Sequence, residues 1–107
     1  MEHYFDHERL IAYQLAAEVA RWVLLEARFP TGASSLKDQA VRASQSVALN
    51  IAEGRARTGD AGRNHYRIAL GSAAEVCAAL DLVKVVGGAD QQVKLRRIGA
   101  MLKGLGA

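Results

Sequence analysis

SSLKDQAVRASQSVALNIAEGRAR, residues 34–57, is the stretch whose reading decides the fold. Leu36, Ala40, Ala43, Val47, Asn50 or Ile51, and Gly54 recur at three- and four-residue steps, which predicts one long helix with a narrow buried line. Ser34 or Ser35 is a ready N-cap, and Asp38 follows in the first turn, where a negative charge suits the positive end of the helix dipole. Small residues dominate the line, so another backbone can approach closely. Ser46, Asn50 and Glu53 lie among them. Burying such groups unpaired costs on the order of 1–3 kcal/mol each, so this helix needs a partner with matching donors and acceptors.

That partner is expected at residues 66–86. Tyr66, Ala69 or Leu70, Ala73, Val76 or Cys77, Leu80 and Val83 again step by three and four, and Ser72 and Glu75 complete a structural polar network with Ser46, Asn50 and Glu53. The segment from Gly54 to Gly62 holds three glycines and reads as the turn between the two helices, with Asp60 capping the second. Ile68, Ala74, Ala78, Ala79 and Leu82 broaden the apolar arc of this helix beyond one stripe. A helix apolar on two sides has two neighbours, the second from another subunit.

Outward from this pair, a first helix is expected over residues 6–29, with Ile11, Leu15, Val19, Trp22 or Val23, and Glu26 or Phe29 facing inward. Pro30 ends it, because the residue before proline is pushed out of the α region. Gly87 and Gly88 close the third helix, and Asp90 caps a last one running through Val93, Ile98, Met101, Leu102 and Leu105. The expectation is a single all-α domain over residues 1–107, an antiparallel up-and-down four-helix bundle.

Composition agrees. Half of the 107 residues are hydrophobic and only six are aromatic, which suits closely packed helices better than a sheet. No apolar run approaches the ~20 residues of a membrane span, and the acidic start MEHYFDHE is unlike a signal peptide. A soluble, cytoplasmic protein is expected, without a membrane partner. The lone Cys77 excludes an intrachain disulfide and reads as a buried, inert thiol.

Catalysis finds no support in the residues. A carboxylate-bridged metal site needs Glu-x-x-His pairs on facing helices, but three residues after Glu53 stands Ala56 and three after Glu75 stands Ala78. His3 and His7 lack a third ligand and read as a solvated pair. No phosphate loop, nucleophile elbow or cysteine cluster is present. The chain is read as a non-enzymatic protein without metal or cofactor.

Charge remains. The net charge is +3, and its distribution is uneven: residues 1–30 carry five acids and three bases, residues 61–107 three acids and seven bases. Arg55, Arg57, Arg63 and Arg67 cluster around the glycine-rich turn with His65 and Tyr66 among them, a pattern suited to phosphates and unpaired bases. Lys94, Arg96, Arg97 and Lys103 form a second group. Binding of RNA or DNA by Arg55, Arg57, Arg63, Arg67, Lys94, Arg96 and Arg97 is the expected function. The alternative is a protein-interaction scaffold whose charges only solubilise it.

The run from Gln39 to Gly54, QAVRASQSVALNIAEG, followed by Tyr66 to Glu75, YRIALGSAAE, resembles the bacterial four-helix-bundle family of 23S rRNA intervening-sequence proteins. Tyr13-Gln14-Leu15-Ala16 and Phe29-Pro30 fit the same pattern. The resemblance implies a cytosolic bundle that assembles into a homo-oligomeric ring, a pentamer, with no assigned enzymatic activity. The family is similar to the accessory variability proteins of diversity-generating retroelements, basic rings that engage nucleic acid and a reverse transcriptase. This sequence departs from the pattern at Ala48, where proline is common, implying a straighter second helix, and at Cys77, where a second glutamate is frequent.

Overall fold

The computed structural model describes residues 2–107. Among them a 3₁₀ turn, Asp6–Arg9, precedes four helices, α1 (Ile11–Leu25), α2 (Ser34–Ala56), α3 (Gly59–Leu82) and α4 (Gly88–Gly104), and no strand forms. Each helix packs on its neighbour in sequence and α1 also packs on α4, so the contacts close a ring around one core. Alanine and valine fill much of that core: Ala16, Val19 and Val23 from α1, Ala40, Ala43, Val47 and Ile51 from α2, Ala69, Ala73 and Val76 from α3. Leu95, Ile98 and Leu102 of α4 complete it.

The first helix is shorter than its periodicity suggests, and the inward face of its first half is rotated by one residue, from Ile11 and Leu15 to Ala12 and Ala16, while Val19 and Val23 are buried as expected. Leu10 adopts an extended backbone (φ −79°, ψ 121°), which separates residues 6–9 from α1. Ala12 is 1% exposed whereas Ile11 is 55% exposed. Small residues line the contact, and larger ones, Ile11, Leu24 and Leu25, are left outside. The C-terminal end comes at Leu25 rather than beside Pro30. There the N–H groups of Glu26 and Ala27 both donate to the Trp22 carbonyl, closing the last turn before proline geometry acts.

The stretch from Gly54 to Gly62 is mostly helix, not turn. Only Arg57 and Thr58 lie between α2 and α3, both extended. Gly59, at φ +64°, is the one glycine here that the turn requires. Gly54 and Gly62 instead let the two backbones touch: a Cβ on Gly62 would lie 2.8 Å from the Gly54 carbonyl oxygen, and one on Gly54 would lie 2.6 Å from the Tyr66 ring. The α2–α3 contact is the most extensive in the molecule.

Thr58, not Asp60, stands at the α3 N-cap, and Asp60 falls in the first turn. Likewise Gly87, in left-handed conformation, precedes α4, with Asp90 inside it. The third helix ends at Leu82 because Val83 turns extended. Of the α3 residues off its main stripe, Ala79 is buried within the protomer while Ile68, Ala74, Ala78 and Leu82 are exposed. Cys77 is half-buried rather than enclosed. Helix α2 passes through Ala48 without interruption, as expected where proline is replaced.

Candidate nucleic-acid interface

The sharp α2–α3 turn throws consecutive arginines to one end of the bundle. Arg55, Arg57 and Arg63 border a cleft of about 300 Å³ whose floor and rim include Thr58, Gly59 and, from the far end of α4, Leu105. Two of these arginines already hold carboxylates. Arg57 Nε donates to Glu53 Oε2 at 3.0 Å, one turn back on α2. Arg63 donates to Asp60, and this hydrogen bond, aided by the charges of Arg63 and Arg67, holds the Asp60 carboxyl below the usual carboxylate range. Both pairs are solvent-exposed, where water and salt weaken them, so a phosphate can replace the carboxylate at small cost. Arg55 and Arg67 are exposed and have no carboxylate at ion-pair distance among the described residues.

The second basic group is placed elsewhere. Lys94 reaches across to Glu18 of α1 at 3.5 Å, tying α4 to α1. Arg96 borders a small apolar groove with Leu70 and Cys77, and Arg97 is exposed. Leu105 lines the arginine cleft, and Arg97 lies eight residues earlier, about 12 Å along α4.

The polar residues between α2 and α3 form a chain along the outer seam. Ser72 Oγ donates to Ser46 Oγ at 2.8 Å, and Asn50 Nδ2 donates to Ser46 Oγ at 3.1 Å and to the Ser46 carbonyl at 3.0 Å. His65 Nδ1 lies 2.9 Å from Asn50 Oδ1, and because an amide oxygen only accepts, the proton sits on that ring nitrogen. Glu53 and Glu75 are exposed and take no part. Each stands three residues beyond a seam residue, about 60° away around the helix axis, and its charge faces water rather than the seam. His65 is the member that sequence reasoning missed. Its spacing of seven from Ser72 places both on one face of α3, a signal that was available.

Tyr66 lines the arginine cleft but offers no open ring face there. It is 6% exposed, and its ring closes over Gly54. The exposed aromatic rings at this end belong instead to Tyr4 and Phe5, which lie beside Ala56. Among the described residues no group of three His, Cys, Asp or Glu is placed to hold a metal ion, and no helix is long and apolar enough to cross a membrane. What the arginine cleft offers chemically is a set of planar guanidinium donors for phosphate oxygens.

The sequence profile of one family, described as 23S rRNA-intervening sequence protein, matches residues 8–104. No curated protein and no solved structure matches the chain.

Proposed function

We propose, from the premise that the chain belongs to the family of 23S rRNA-intervening sequence proteins, that it is a non-enzymatic helical bundle that binds RNA or DNA by its phosphates. The observation that carries this reading is the convergence of Arg55, Arg57 and Arg63 on one cleft, two of them in surface pairs that a phosphate can displace. Arg67 on α3 extends the same charged end. Lys94, Arg96 and Arg97 assist as a second, separate contact along α4. The family's description, which names an intervening sequence of 23S rRNA, favours RNA.

The reading includes self-association in the cytoplasm. The two-residue connection between α2 and α3 supports an antiparallel up-and-down arrangement, which leaves Leu49, Ile68 and Leu82 exposed on the outer faces of α2 and α3. Covering such faces with copies of the chain, in a ring of five, removes apolar surface from water and multiplies the basic cleft around an axis.

One experiment addresses both parts: measure the mass of the protein in solution, then titrate it against structured RNA at 50 and 200 mM salt. Three phosphate contacts from one cleft predict an affinity loss of roughly 40-fold across that interval, and more if several clefts engage one RNA. A mass of one protomer refutes the ring. Binding that is absent, or indifferent to salt, refutes the phosphate reading.

A further inference from the structure

Two clefts adjoin at the end of the bundle that carries the α2–α3 turn. One is the arginine cleft. The other, about 290 Å³, is lined by Tyr4, Phe5, Asp6, His7 and Ala56. Asp6 borders both, and Ala56 is flanked in the chain by Arg55 and Arg57, so guanidinium groups and aromatic rings share one rim.

Phe5 is 75% exposed, yet it is held in place. Its backbone N–H donates to Glu8 Oε2 at 2.6 Å and its carbonyl accepts from the Glu8 N–H at 3.1 Å. Its ring lies nearly parallel to that of His7, with centroids 6.0 Å apart and planes 17° apart, and His7 meets Tyr13 of α1 edge-on at 4.6 Å. Tyr4 is covered on one side by the Arg9 guanidinium, 4.9 Å from the ring centroid. An apolar ring fixed in water, beside a cleft that takes phosphates, is a platform with one face open.

Resting on the nucleic-acid reading above, we infer that the ligand is single-stranded: its phosphates enter the arginine cleft and an unpaired base stacks on Phe5. In a duplex the base faces are already occupied by their neighbours, so only an unpaired strand presents a face to the ring. The guanidinium groups line the arginine cleft and not the aromatic one, which places the phosphates among the arginines and the base on the aromatic side. Stacking releases no counterions, whereas phosphate contacts do, so the two contributions separate by their salt dependence.

The test compares a 12-nucleotide oligouridine with a 12-base-pair RNA duplex, titrated against the wild-type chain and against Phe5→Ala, Phe5→Leu and Phe5→Tyr. Phe5 lies outside the core, and circular dichroism verifies that each variant is folded. Wild type is expected to bind the single strand more tightly than the duplex. Phe5→Ala and Phe5→Leu are expected to weaken the single strand by roughly 5- to 100-fold with an unchanged salt slope, to leave the duplex unaffected, and Phe5→Tyr to restore binding. Wild-type binding to the single strand that Phe5→Ala leaves unmoved, or that falls equally for both probes, overturns this inference alone. Binding of neither probe by wild type overturns the nucleic-acid reading and the inference with it.

Discussion

Gly62→Ala is expected to destabilise the fold by about 1–3 kcal/mol, lowering the melting temperature by roughly 5–15 °C. Replacing a helical glycine by alanine is by itself favourable by about 1 kcal/mol, so the sign depends on what the new methyl meets. Here it meets main chain: the Gly54 carbonyl oxygen at 2.8 Å and the Arg57 carbonyl oxygen at 3.1 Å. Neither atom belongs to a side chain that could swing aside. Relief requires α2 and α3 to separate along their most extensive contact, which opens the core around Ile51 and Ala69. Gly71 provides the control. It lies exposed in the middle of α3 with nothing near its missing Cβ, so Gly71→Ala is expected to stabilise by about 0.5–1 kcal/mol. Thermal unfolding of the two variants side by side decides the matter, and equal melting temperatures contradict the close backbone contact.

The second large effect concerns binding. Neutralising Arg55, Arg57 and Arg63 together to glutamine is expected to weaken nucleic-acid affinity on the order of 100-fold at 0.15 M salt, since each phosphate left without its guanidinium forfeits about fivefold of counterion-release driving force. The slope of log affinity against log salt should fall by about 2.7, which is 0.9 for each of three phosphates. Stability should change little, because the ion pairs to Glu53 and Asp60 that these substitutions remove are exposed. Lys94→Gln is the contrast: Lys94 spans to Glu18, away from the cleft, so its removal shifts the slope by no more than a single phosphate's share. An unchanged slope in the triple variant refutes the cleft as the phosphate site.

Much of the architecture was legible because helical periodicity survives in α2, α3 and α4, where Ala40, Ala43, Val47, Ala73, Val76 and Ile98 fall where the three- and four-residue steps put them. The register of the first half of α1 was not legible, since Ile11 and Leu15 are followed directly by Ala12 and Ala16, and either pair gives an apolar stripe at the same spacing. Gly62 was misread as turn for a different reason, whereas Gly54 sits on the buried line of α2 where it was expected. Glycine both breaks helices and lets them touch, and the choice between those roles depends on a residue across the contact, Tyr66 for Gly54 and the Gly54 carbonyl for Gly62. Glu53 stands three residues beyond Asn50, yet one carboxylate faces water and one amide faces the seam. A difference of that size lies within the uncertainty of a helical-wheel angle. The arginine cleft was visible as a charge cluster. Its aromatic neighbour was not, because Phe5 lies some fifty residues away in sequence and reaches Ala56 only through the fold.

The central claim is that the α2–α3 turn and the aromatic arm beside it form one binding surface for an unpaired strand. Backbone amide NMR shifts, recorded as a 12-nucleotide oligouridine is added, test it directly. The expected result is a set of shifts concentrated at residues 4–8, 55–63 and 105, with α1 beyond Tyr13 unperturbed. Shifts centred on α1 or on the Leu82–Val93 end, or spread evenly over the chain, contradict it.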